Sequence, residues 1–209
     1  MSTPDAARRV DLVILLHGVG SRGAGLAPIA RAWARRLNGV RVVAPDGPFD
    51  HDEDRRFRQW YSIVGVTAET RAARVAAAGA AFDAVIDETI AEVGTSAGRT
   101  VLAGFSQGGS MALDALRRGR DFAGLLAMAT RLAAPLGRRL DGFSARVVHG
   151  EADTVIAIDE AERTREALAT AGARVDLVRL PGGGHGIDLA VAKAGLAFLV
   201  VAAGGKATS

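Results

Sequence analysis

The sequence predicts an α/β fold: one domain with a mostly parallel sheet flanked by helices. Short runs rich in Val, Leu and Ile alternate along the chain with longer, alanine-rich segments. The short runs are almost continuously apolar, as strands buried on both faces are. Glycine-rich or polar segments follow most of these runs, and in an open α/β sheet function gathers at the carboxyl ends of the strands.

A first strand is expected over 10–16 (VDLVILL), then a helix over 26–38. Gly25 and Pro28 set that start near Leu26 or Ala27, because proline favours the first turn. A strand over 40–44 and a long helix over 68–93 come next. RTVLAG (99–104) reads as a strand leading into a helix over 107–118. Strands follow at 122–128 and 145–150, then a helix over 158–171 stopped by Gly172. The last pair is a strand over 174–180 and a helix over 188–202 with Asp188 as its cap. The whole chain, 1–209, is expected to form this one domain, with flexible ends at 1–8 and 203–209.

Composition narrows the classes. The 209 residues suffice for one substantial core, and no cysteine is present, which excludes disulfides, thiolate metal sites and a cysteine nucleophile. Net charge is +3, and all basic residues but Lys193 and Lys206 are arginines scattered among the acids. No basic arm points to nucleic acid. The amino-terminal stretch lacks the layout of a signal peptide, and no run has the length of a membrane span, so a cytoplasmic protein without stable membrane insertion is expected.

The stretch GTSAGRTVLAGFSQGG carries G-x-S-x-G twice, around Ser96 and Ser106. A nucleophilic serine on this motif sits on a sharp turn that leaves a strand and enters a helix, and its flanking glycines let backbones meet. Ser106 has that context. Ser96 follows a helix and precedes a strand, at the opposite end of the sheet, where Gly94 and Gly98 read as helix-stop and turn residues. Ser106 is the candidate nucleophile, with the Gln107 N–H at the positive helix end as an oxyanion donor.

A serine needs a base and the base an orienting acid, in the chain order Ser, Asp or Glu, His. His185, in PGGGHGI between the last strand and last helix, is the base. His149 ends a strand and reads as structural. Asp153, in HGEADTVI, is the preferred acid and Glu151 the fallback; Asp159 falls in the following helix. The second oxyanion donor belongs to the loop after the first strand, His17-Gly18-Val19-Gly20, where the Val19 N–H is chosen.

That loop also spells a rival, since Gly18 to Gly23 fits G-x-G-x-x-G and Asp46 ends the next strand, as in a dinucleotide-binding fingerprint. A helix starting near Leu26 leaves the loop too long for a phosphate turn, and the reading leaves Ser106, Asp153 and His185 unexplained. The acidic DHDED, 50–54, lies beside RRFR, 55–58, so mutual neutralisation is preferred to a metal.

In order along the chain, LLHGVG, APDGPFD, RQWYS, GFSQGG, HGEADTVI and GGGHGI resemble the small carboxylesterase/phospholipase family of α/β hydrolases, which includes acyl-protein thioesterases. The resemblance covers about residues 10–200. It implies a single-domain α/β-hydrolase fold without a large lid, no cofactor and no metal. It also implies esterase activity on small-molecule or lipid-like acyl esters, or thioesterase or lysophospholipase activity, and it leaves room for a homodimer. Trp60 then borders the acyl site. Ile156-Ala157 stands where the family commonly has a proline shortly after the acid's valine, and Tyr61-Ser62 where its Trp segment often continues Phe-Asp.

Overall fold

The computed structural model describes residues 9–205. The expected flexible ends at 1–8 and 206–209 lie outside the described residues. Residues 203–205 follow the last helix, where Gly204 and Gly205 donate their N–H groups to Val201 and Val200.

Six parallel strands form the main sheet: β1 (Leu12–Leu16), β2 (Arg41–Val43), β5 (Thr100–Phe105), β6 (Gly124–Met128), β7 (Ser144–Gly150) and β8 (Arg174–Leu180). Their spatial order is β2-β1-β5-β6-β7-β8, and a two-residue antiparallel pair, β3 (Phe49–Asp50) with β4 (Arg58–Gln59), stands apart. Helices α1 (Gly23–Ala34), α2 (Arg71–Ala77), α3 (Gly79–Val93), α4 (Gln107–Arg117), α5 (Ile158–Thr170) and α6 (Leu189–Ala202) connect and cover them.

The pleat sends alternate residues to opposite faces. Leu12, Ile14 and Leu16 of β1 join Val75, Phe82, Ile86, Met111 and Leu168 from α2 to α5, whereas Val13 and Leu15 join Leu26, Trp33, Phe198 and Leu199 from α1 and α6. Every residue of β1 and β6 is buried, which explains their continuous apolar runs. Among the described residues no helix is long and apolar enough to cross a membrane.

Several helix boundaries differ from expectation: α1 ends at Ala34 instead of 38, the helix expected from 68 starts at Arg71, and two further differences have visible causes. Helix α1 begins at Gly23, not near Leu26, because its first N–H is capped from another loop: Asp46 Oδ1 accepts from Gly23 N at 2.7 Å. Gly23 also lets the helix start touch the chain after β2, where a Cβ would lie 2.0 Å from the Ala44 carbonyl oxygen. Pro28 is therefore inside α1. The helix expected over 68–93 is split at Ala78, beside Gly79, whose missing side chain admits Arg118 of the α4 cap as it reaches Asp83 and Asp114. The expected stop and cap hold: Gly172, after α5, takes a left-handed φ of 97°, and Asp188 caps the start of α6 by accepting from Val191 N at 2.8 Å.

Candidate active site

The turn from β5 into α4 is made by Ser106, at φ 50° and ψ −115°. Ser106 and Ala129 alone, among the described non-glycine residues, have positive φ. Such strain persists only where the surroundings over-determine it. Here Ser106 N donates to Met128 O at 2.9 Å, and Ser106 O accepts from Thr130 Oγ1 at 2.6 Å and from Ser110 N at 3.1 Å. The flanking glycines are sites of close approach. A Cβ on Gly104 would lie 2.5 Å from Gly109 Cα, and one on Gly108 would lie 2.7 Å from His17 O. Ser96 is at the opposite end of β5 from Ser106, where its carbonyl caps the turn into the strand through Arg99 N and Thr100 Oγ1.

Loops after β7 and β8 bring Asp153 and His185 to the same place. His185 Nε2 is 3.0 Å from Ser106 Oγ, and His185 Nδ1 is 2.7 Å from Asp153 Oδ2. Since a carboxylate only accepts, Nδ1 carries the proton and Nε2 is free to accept from the serine hydroxyl. Phe105 braces the imidazole, with ring centroids 5.1 Å apart. Glu151, the fallback acid, is exposed, and Asp159 lies in the first turn of α5.

Asp153 is itself held from several sides. Oδ1 accepts from Val155 N and Ile156 N, each at 2.8 Å. Burial works to raise its pKa, yet the Ile156 N–H, the His185 partner and the Val155 N–H outweigh it and hold the carboxyl below the usual range. Sequence reasoning left out one further neighbour. His149, wholly buried at the end of β7, places Nε2 at 2.8 Å from Ile156 O and 3.3 Å from Asp153 Oδ2. The four-residue spacing of His149 and Asp153 was the available signal, but only the turn at 150–153 folds it into contact.

The loop after β1 runs beside the nucleophile: a Cβ on Gly18 would lie 3.4 Å from Ser106 Cβ. His17 pins this loop, with Nδ1 at 2.7 Å from Gly18 O and Nε2 accepting from Gly47 N at 2.9 Å. Burial pushes the imidazole pKa down, which keeps it neutral in that double role. Gly20 N donates to Arg58 O and Arg58 N donates to Ser21 O, tying the loop to the β3–β4 pair. These bonds leave the Val19 N–H without a protein acceptor among the described residues. Gln107, first residue of α4, presents one of the N–H groups that a helix start leaves unpaired.

Trp60 corrects an expectation. Its side chain is 0% exposed, so it cannot line an open acyl site. The indole N–H finds a partner below the surface, His17 O at 2.9 Å, and the ring packs on His17 and Phe82. Gln107 completes this brace, accepting from Trp60 N at 2.8 Å and donating to Tyr61 O at 2.7 Å.

The rival fingerprint regains one criterion, since α1 does start at its last glycine. Its acid, however, is engaged: Asp46 caps Gly23 and pairs with Arg22 at 3.0 Å. In the acidic loop, Asp54 pairs with Arg56 and Asp50 with Arg55 and Arg58, the mutual neutralisation expected of that stretch.

A parallel sheet that ends in a strained serine elbow, with an Asp–His pair delivered from the last two strands, defines an α/β hydrolase. The chain belongs to the phospholipase/carboxylesterase family, whose model matches residues 3–200. It is 30% identical to esterase YpfH of Escherichia coli over 189 residues, 90% of this chain and 81% of that protein. It is also 30% identical to acyl-protein thioesterase 1 of Neurospora crassa over 206 residues, 87% of this chain and 82% of that one. The crystal structure of esterase PE8 superposes with a TM-score of 0.82 at 26% identity, covering 94% of this chain and 95% of its own. The protein is a carboxylic-ester hydrolase.

Proposed function

We propose that the protein hydrolyses carboxylic esters of short to medium acyl chains through an acyl-enzyme on Ser106. The observation that carries this reading is the unbroken hydrogen-bond chain from Ser106 Oγ through His185 to Asp153. Ser106 Oγ attacks the ester carbonyl as its proton passes to His185 Nε2. Asp153, still ionised, holds the imidazole in the required tautomer and stabilises the imidazolium. The carbonyl oxygen becomes an oxyanion between the Val19 and Gln107 N–H groups, the second at the positive end of α4. Collapse breaks the C–O bond, and the alcohol leaves with the proton from His185. Water then repeats the sequence with His185 as base, releasing the acid and restoring Ser106. Proton and electron pairs balance among the ester, water and these side chains.

Turnover of p-nitrophenyl acetate and p-nitrophenyl octanoate tests this reading. Wild type is expected to release p-nitrophenol from both, with kcat lowered about 10⁴-fold or more in His185→Ala. Folded wild-type protein that turns over neither would instead be a hydrolase-like binding module. A thioesterase reading is favoured by the likeness to acyl-protein thioesterase 1. It predicts higher kcat/KM on an S-acyl thioester than on the matched oxygen ester. Higher kcat/KM on a lysophospholipid would favour the lysophospholipase reading.

A further inference from the structure

Thr130 and Arg131, just after β6, are aimed at the Ser106 turn by Ala129, the second strained residue, at φ 43°. Ala129 N donates to Val148 O of β7, and the chain then turns back against α4. Thr130 Oγ1 donates to Ser106 O, Ser110 Oγ is 3.2 Å from Thr130 Oγ1, and Ser110 Oγ donates to Arg131 O at 2.9 Å. The backbone of Arg131 is thus tied to the helix that Ser106 heads. Its side chain crosses to the loop after β7, where Nη2 donates to Val155 O at 3.1 Å. Val155 is the residue whose N–H binds Asp153 Oδ1. Arg131 therefore spans the gap between two of the loops that build the site.

Its charge has no match. Arginines on the oxyanion-loop side are each paired: Arg22 with Asp46, Arg55 and Arg58 with Asp50, and Arg56 with Asp54. Half-buried Arg131 spends a bond on one carbonyl and makes no ion pair with a carboxylate among the described residues. Four of the five N–H donors of a guanidinium stay available in that state, in the planar fork that suits carboxylates and phosphates. A second half-buried cation, Arg71, stands at the start of α2. Both charges bear on the buried Tyr61 hydroxyl. Burial pushes that phenol's pKa up, while the charges of Arg71 and Arg131 pull it back. Among the described residues Arg71 also forms no ion pair; the acid within its field, Glu69, accepts from the Thr67 hydroxyl.

We infer that Arg131 binds an anionic group of the substrate, so that the enzyme prefers esters bearing a carboxylate near the scissile bond. The inference rests on the Ser106 reading, since the anion is held relative to that nucleophile. A charge-assisted pair at a half-buried site discriminates by about tenfold or more against a neutral isostere.

Two matched pairs of esters test this. Mono-p-nitrophenyl glutarate against p-nitrophenyl pentanoate places the anion on the acyl side; 4-carboxyphenyl butyrate against phenyl butyrate places it on the leaving group. The readout is the ratio of kcat/KM, anionic over neutral, within each enzyme, so a general loss of activity in a variant cancels. In wild type the ratio is expected to favour the anionic ester in at least one pair. Arg131→Gln should bring that ratio close to one, and Arg131→Lys should restore part of it. Ratios near one in both pairs, or a preference that survives Arg131→Gln, would overturn the inference while leaving the serine reading intact. Failure of wild type to turn over even the neutral esters would overturn the serine reading and this inference with it.

Discussion

Replacing Gly150 by alanine presses directly on the junction between the loops that carry Asp153 and His185. Gly150 is not in the left-handed region, so alanine suits its backbone and only space is at issue. A Cβ there would lie 2.2 Å from Gly183 O, 2.4 Å from Gly183 C and 2.8 Å from Gly184 O. All three are backbone atoms, so no side chain can rotate away, and relief needs a shift of about 1 Å. Ala152 N donates to Gly183 O at 2.9 Å, so the displaced strand carries both loops with it. The 2.7 Å bond between His185 and Asp153 joins the two displaced arms. A misplacement of that size costs on the order of 10²-fold in rate, and the overpacking about 1–3 kcal/mol in stability. The assay is kcat/KM on p-nitrophenyl butyrate with a thermal melt of the same sample. Gly184→Ala is the control, because a Cβ there meets nothing within 4 Å. A Gly150→Ala protein with wild-type kcat/KM and an unmoved Tm would refute the idea that this close approach aligns Asp153 with His185.

Gln107→Ala keeps the backbone N–H but strands Trp60 N–H and Tyr61 C=O in the interior; urea unfolding should show a loss of about 1–3 kcal/mol, and an unchanged midpoint contradicts the brace. His149→Leu removes one neighbour of Asp153 Oδ2, so kcat should fall about tenfold with little change in KM, and His149→Gln should recover part of it. Equal kcat in folded His149→Leu would leave His149 a space-filling role only. Burial holds His17 below its ordinary pKa of 6.5, so the unfolded chain binds that proton more readily. Its contribution is therefore complete above pH 6.5 and is lost as pH falls from there toward the folded value. Unfolding free energies at neutral pH and at about pH 5 should differ less in His17→Gln than in wild type; an equal difference contradicts the assignment.

The sheet and the Ser106–His185–Asp153 cluster were legible because their signals are local. Continuous apolar runs give strands, and a glycine-flanked serine between a strand and a helix gives an elbow. What escaped depends on partners distant in sequence. Asp46 caps α1 from a loop 23 residues away, so glycine and proline spacing alone placed the start too late. The break at Ala78 in the helix expected over 68–93 lies beside Gly79, which packs on Arg118 from the end of α4. Strands β3 and β4, two residues each, are too short to show a period. The family resemblance of RQWYS implied that Trp60 borders the acyl site, but its indole N–H binds His17 O and the ring lies inside. Arg131 gave no signal at all, since an unmatched charge is visible only when every nearby carboxylate can be assigned.

The central claim is that Ser106, activated by His185, is the nucleophile. Treatment with a fluorophosphonate probe, followed by mapping of the adduct by mass spectrometry, tests it most directly. A single adduct on Ser106, absent from Ser106→Ala and strongly slowed in His185→Ala, is the predicted result. An adduct on Ser96 or Ser110 instead, or none in folded protein that still turns over p-nitrophenyl acetate, would contradict it.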